Sequence, residues 1–275
     1  DLKRKQGEIP LFGHWKAFHL EAAAAFVEEL RGVAAGAAGH PVLLSANACL
    51  GNEAHHHVVP RLTHVVCEVW FDAPKGTRSL DGALGAFAAA ARLGRPLACT
   101  ASGHDWAWVK AHGSEELARF WIALTYAHGQ RFMVPHPERQ WCFDEKLGTH
   151  WYAAPIEEFA PIYRFVRTSA AALDGFREAP EVRVDGPPTI IAKPRRKGAR
   201  LSVHLVNRDY DAAADLVRVA QDIELRIAEP SPMTAGRARV LRPEAEPADL
   251  PFDRREDGAV VRVPELRLWA IVTIE

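Results

Sequence analysis

The stretch Thr63–Asp72, reading THVVCEVWFD, constrains this chain more than any other. An apolar, β-branched run bounded by a polar loop before it and by Pro74 and Gly76 after it predicts a buried parallel strand. Glu68 breaks the apolar pattern. An isolated ionised carboxylate taken out of water costs on the order of several kcal/mol, so the residue must be paired, protonated or facing a solvated cleft. Strand parity places His64, Val66, Glu68, Trp70 and Asp72 on one face and Val65, Cys67, Val69 and Phe71 on the other. The first face carries the chemistry of a site, and the second is packing surface.

Around this strand the chain alternates helix and strand. Trp15 to about Gly36 has helical spacing in Phe18, Leu20, Ala24, Phe26, Val27 and Leu30. A short strand over Val42–Ala48 follows, then a polar loop into the Glu68 strand, a helix over Ser79–Leu93 and a strand over Leu97–Ser102. Helix Ser114–His128, strand Arg131–Pro135, an aromatic loop through Trp141 and Trp151, and helix Ile156–Phe176 complete the series. Its αβ returns are short and its βα loops long, polar and rich in Trp and His, which is where barrels and doubly wound sheets bind ligands. Four strands cannot close an eight-stranded barrel, so this is either an open sheet or part of a barrel whose other half lies upstream or in another chain.

After Ala179-Pro180 the pattern changes to short alternating runs divided by Pro, Gly and Asp turns, among them Leu201–Val206, Val217–Leu225 and Leu266–Ile274. Such spacing predicts an antiparallel β-sandwich over 180–275, following an α/β barrel portion over 1–179.

A composition of 48% hydrophobic and 25% charged residues supports a full globular core. The formal charge of -1 offers no electrostatic footprint for nucleic acid or an anionic membrane, and the basic run Lys193–Arg200 reads as a solvated hairpin turn. No apolar run approaches the roughly 20 residues needed to cross a bilayer. Cys49, Cys67, Cys99 and Cys142 lie far apart without metal-site or disulfide spacing. The sequence lacks G-x-S-x-G, Walker and G-x-G-x-x-G motifs, and no cofactor is implied.

The stretches SVHLVNRDY (202–210) and VRVPELRLWAIV (261–272) resemble the β-sandwich that trails the catalytic barrel of several polysaccharide-acting glycoside hydrolases. The dextranase and cycloisomaltooligosaccharide-glucanotransferase family is the nearest in pattern. The resemblance covers the last third by motif and the earlier part by layout. It implies the C-terminal half of a TIM-type (β/α)8 barrel, with the strands near Val42, His64, Leu97 and Arg131 as the fifth to eighth. It also implies an acid/base glutamate at the end of the sixth strand, where Glu68 falls, and a nucleophilic aspartate on a fourth strand that precedes or includes Asp1.

Glycosidic cleavage needs two carboxyl groups, about 5 to 5.5 Å apart for retention and ~6.5 to 9.5 Å for inversion. Glu68 suits the acid role if partial desolvation raises its pKa toward neutrality, and a structural ion pair with an arginine is the alternative. Asp72 either orients Glu68 or a sugar hydroxyl, or caps the turn before Ala73-Pro74. Asn47 and the Ser102–Trp106 turn, with His104 and Asp105, are candidates for hydroxyl binding. Asp105 reads either as the second carboxylate or as a helix cap. Trp70, Trp106, Trp108 and Trp141 serve as sugar-stacking platforms or as core, and His136 as a cleft residue or an ordinary polar one. The expected partner is a carbohydrate substrate. Two rival functions are a non-catalytic carbohydrate-binding or assembly protein and a metal-dependent hydrolase using His55–His57, although three successive histidines on one loop converge poorly on one ion.

Overall fold

The structure, a computed structural model, describes residues 9–135, 152–228, 236–243 and 245–275. The chain forms two compact units: the first runs to Val69 and resumes over Ala83–Cys99, and the second comprises Trp70–Gly82 and Thr100–Glu275.

In the first unit, helix α1 (Phe12–Ala38) ends at Gly39, whose left-handed backbone (φ 71) returns its N–H to the Ala35 carbonyl at 3.0 Å. The helix forms where its periodicity predicts, but Ala24 is its one buried residue among those described, and Phe18 is 64% exposed. Strands β1 (Ser45–Asn47) and β2 (His64–Val69) pair in parallel, with Ser45 opposite His64 and Asn47 opposite Val66. The Thr63 hydroxyl accepts from the Leu44 N–H at 2.8 Å and donates to the Leu44 carbonyl at 2.7 Å, extending this pairing by one side chain.

The parity of β2 is as expected, but its burial is not. Val65, Cys67 and Val69 are buried, His64 and Val66 are half-buried, and Glu68 is exposed. The strand is therefore covered on one face, and the carboxylate sits on the open one without the desolvation expected for it. Helix α2 (Asp81–Leu93) buries Ala83, Phe87 and Ala90, then turns at Gly94 (φ 63) into β3 (Leu97–Ala101). Strand order in the sheet is β1-β2-β3-β4, with β4 at Arg131–Phe132; the division between the units passes through β3.

The second unit contains helices α3 (Gly103–His112), α4 (Glu115–Ala127), α5 (Ile156–Thr168) and α6 (Ala170–Leu173). Strands β5 (Arg177–Glu178), β7 (Ile190–Lys197), β8 (Arg200–Asn207), β12 (Ala238–Arg242), β13 (Ala245–Leu250) and β16 (Trp269–Ile274) form one antiparallel sheet. Its order is β13-β12-β16-β8-β7-β5. A second antiparallel sheet, β14-β15-β11-β6, is built from β6 (Arg183–Asp185), β11 (Ala220–Ala228), β14 (Phe252–Arg255) and β15 (Gly258–Leu266). The ribbon β9–β10 (Tyr210–Asp211, Leu216–Val217) stands apart from both.

The two sheets share one apolar core. Leu201, Val203 and Leu205 of β8 and Val272 of β16 contribute from one side, and Ile223, Leu225, Val261 and Val263 from the other. The opposite face of β8 and β16 is also buried, against the helices of the same unit. Ser202 donates to the Ala172 carbonyl at 3.0 Å, and the Trp269 ring lies edge-to-face with Phe165 at 4.8 Å. Helices α3–α6 and both sheets thus belong to one unit, and the expected boundary at 179/180 lies within it.

Two contacts lock helix α4 to the strands. Asp215, in left-handed backbone (φ 44), accepts from the N–H groups of Glu116 (2.9 Å) and Leu117 (3.3 Å) and from the Tyr210 hydroxyl (2.7 Å). A residue 99 positions downstream therefore supplies the helix cap. At the other end, buried Arg195 donates to the Phe176 carbonyl at 2.7 Å and lies over Gly129, where a Cβ would stand 2.2 Å from the guanidinium.

Candidate functional site

In a parallel pair, residues directly opposite share a face, so the register Asn47–Val66 puts Asn47 on the open side with His64 and Glu68. Asn47 and Glu68 are exposed near the carboxyl ends of adjacent strands. No basic side chain among the described residues forms an ion pair with Glu68. It is the one acid that β1, β2 and β3 carry. Behind this face, burial pushes the Cys67 thiol up to about 11, so it is packing rather than a nucleophile.

In the second unit, the turn that follows β2 is held by Asp105. This residue is 1% exposed, and its carboxylate accepts from the Phe71 N–H (3.0 Å), the Ala73 N–H (2.8 Å) and the Ser102 hydroxyl (2.7 Å). Ser102 in turn caps α3 by accepting from the Asp105 N–H at 3.2 Å. Both oxygens of Asp105 are committed to holding this turn, and the cap of α3 is Ser102.

Asp72 occupies left-handed backbone (φ 57) and pairs with Lys75 at 2.7 Å, a turn role. Trp106 is 3% exposed, stacks on Tyr152 with ring centres 5.1 Å apart, and donates its indole N–H to Thr100 at 2.9 Å. That packing corrects its reading as a sugar platform. Trp108 stacks on His112 at 3.8 Å. Trp70, by contrast, is 50% exposed and meets the exposed His104 ring edge-on at 5.9 Å. A Cβ at Gly82 would lie 2.7 Å from the Trp70 carbonyl oxygen, so glycine there lets the start of α2 approach the Trp70 backbone. His136 and Trp141 lie outside the described residues.

The three histidines of the polar loop occupy a 3-10 turn, Glu53–His57, and the His56 ring meets the Leu50 carbonyl at 2.9 Å. Among the described residues, no group of three or more His, Cys, Asp or Glu side chains is placed to hold a metal ion. No helix among the described residues is long and apolar enough to cross a membrane. Sequence reasoning missed a second grouping of charges, around Glu116 and Arg267, because its members come from separate elements and follow no motif.

No protein-family model and no curated protein matches the chain. Its neighbours among solved structures are glycoside hydrolases at low identity. A cycloisomaltooligosaccharide glucanotransferase from Paenibacillus sp. is 15% identical over 63% of this chain and 27% of its own, with a TM-score of 0.43. A noncanonic maltogenic α-amylase from Thermotoga neapolitana is 14% identical over 83% of this chain and 54% of its own, with a TM-score of 0.48. The α-fucosidase of Thermotoga maritima is 12% identical over 66% of this chain and 40% of its own, with a TM-score of 0.36. The chain spans between 27% and 54% of the length of these proteins.

Proposed function

We propose that this chain is part of a carbohydrate-active hydrolase in which Glu68 is the general acid/base. The observation that carries the reading is the placement of Glu68: an acid without a basic partner among the described residues, on the open face of a parallel strand beside Asn47. A carboxyl so placed is free to pass a proton to a glycosidic oxygen while an amide binds a neighbouring hydroxyl. The sequential order β1-β2-β3-β4 is that of consecutive barrel strands and differs from doubly wound sheets, whose order reverses at a switch point. It supports reading these strands as the C-terminal half of a (β/α)8 barrel, followed by a β-sandwich.

On this reading the second carboxylate comes from a further set of βα units, in this chain or another. Glu68→Gln keeps size and polarity but removes the transferable proton. It is expected to lower turnover of a susceptible glycan by about 10²-fold or more while leaving glycan binding intact. Steady-state rates together with a binding titration check this, and unchanged turnover ends the proposal. A second reading, a non-catalytic glycan-binding protein, draws on there being one acid on β1 to β3. It predicts binding without turnover in the chain before and after the substitution.

A further inference from the structure

A cavity of about 320 Å³ opens in the second unit between helices α4 and α5 and the ends of β12, β15 and β16. Its wall combines buried Glu116 and Trp269 with Arg119, Arg242, Arg267 and Glu265. The charges nearly compensate one another. Glu116 meets Arg119 at 2.8 Å and Arg267 at 3.7 Å, and Glu265 meets Arg242 at 3.4 Å. Glu116 is 2% exposed, yet its Oε1 has no hydrogen-bond donor among the described residues, since the Arg267 contact is too long for one. The indole N–H of Trp269, also buried, lacks an acceptor among them. The cap from Asp215 fixes the backbone of Glu116, and Arg119 holds the carboxylate through its other oxygen, Oε2, at 2.8 Å.

An anion would meet two carboxylates on this wall, and a cation would meet three guanidinium groups. A hydroxyl suits a wall of both signs, because it donates to a carboxylate and accepts from a guanidinium at once. Ile162 and Val219 add apolar wall suited to C–H faces, and the volume is at the small end of the roughly 300–1,000 Å³ of ligand sites, the scale of one ring rather than a chain of them. We propose that this cavity is a binding site for a neutral polyol, a single sugar ring or its equivalent, separate from the open face of β2. The proposal goes beyond the role given to Glu68 and does not depend on it.

The test is a ligand-observed NMR titration of the chain with D-glucose. Wild-type chain is expected to bind saturably. Val219→Trp, which fills the cavity from a half-exposed position, and Arg242→Met, which removes a donor from its rim, are each expected to weaken binding at least tenfold. Glu68→Gln is expected to bind glucose at this site as the wild type does, which separates failure here from failure of the catalytic reading. Thermal melts confirm that the variants are folded, and because the two alter different walls, one folded variant suffices. Absence of saturable binding, binding that a folded variant leaves unchanged, or saturation by sulfate in place of glucose overturns the proposal.

Discussion

Asp105 shows how one side chain can be read for chemistry and turn out to hold the backbone. Its two oxygens satisfy the N–H groups of Phe71 and Ala73, which no strand or helix partner takes. Removing a buried acceptor leaves each donor to bear its desolvation cost, so Asp105→Ala is expected to destabilise the fold by about 2–4 kcal/mol, with Asp105→Asn recovering part of that. Urea denaturation of the two variants measures it, and an effect below about 0.5 kcal/mol for Asp105→Ala contradicts the clamp. In the sequence this residue is only an acid in a polar turn. Its partners lie 32 and 34 positions away, so nothing local distinguishes a clamp from a catalyst. Glu68 is the reverse case: strand parity located its face from the sequence, while the exposure of that face depended on which side of the sheet is covered.

At the scale of elements, helix α4 is defined by residues from both ends of its unit. Ser114 stands where a cap is expected but makes no side-chain cap bond, and Asp215 does so instead. Asp215→Ala is expected to cost about 1–2 kcal/mol and to leave the Tyr210 hydroxyl without its acceptor. A thermal melt checks the loss, and an unchanged midpoint would show that the cap carries no weight. Helix α1 makes the complementary point. Its spacing predicts a helix, and the helix is present with Trp15, Phe18 and Phe26 exposed. Periodicity specifies conformation and which residues share a face; it does not supply the surface against which that face packs.

For the molecule as a whole, the second unit places ionisable groups where ionisation is costly. His204 and His128 are both driven down to about 3, chiefly by burial, with Arg195 adding repulsion to each. Unfolding releases both to ordinary histidine behaviour near 6.5. Between these values the unfolded chain binds protons that the folded chain refuses, so stability is greatest above about pH 6.5 and falls as the pH drops toward 3. Each histidine contributes a slope of up to about 1.4 kcal/mol per pH unit. Denaturant midpoints at pH 7 and pH 5 test this: the midpoint is expected to fall at the lower pH, and to fall less in His204→Gln. Equal midpoints at the two pH values would show that neither ring is held neutral.

The sequence by itself determined the alternation of helices and strands, the change to short strands after Pro180 and the two faces of β2, because these follow from periods of 3.6 and 2 and from turn residues that act within a few positions. Only the tertiary structure decided that Glu68 stands in the open, that Asp105 and Asp215 bind backbone, and that Glu116 and Trp269 share a cavity wall. Each of those outcomes depends on groups distant in the chain, and burial and hydrogen bonding are properties of the assembled neighbourhood rather than of any single segment.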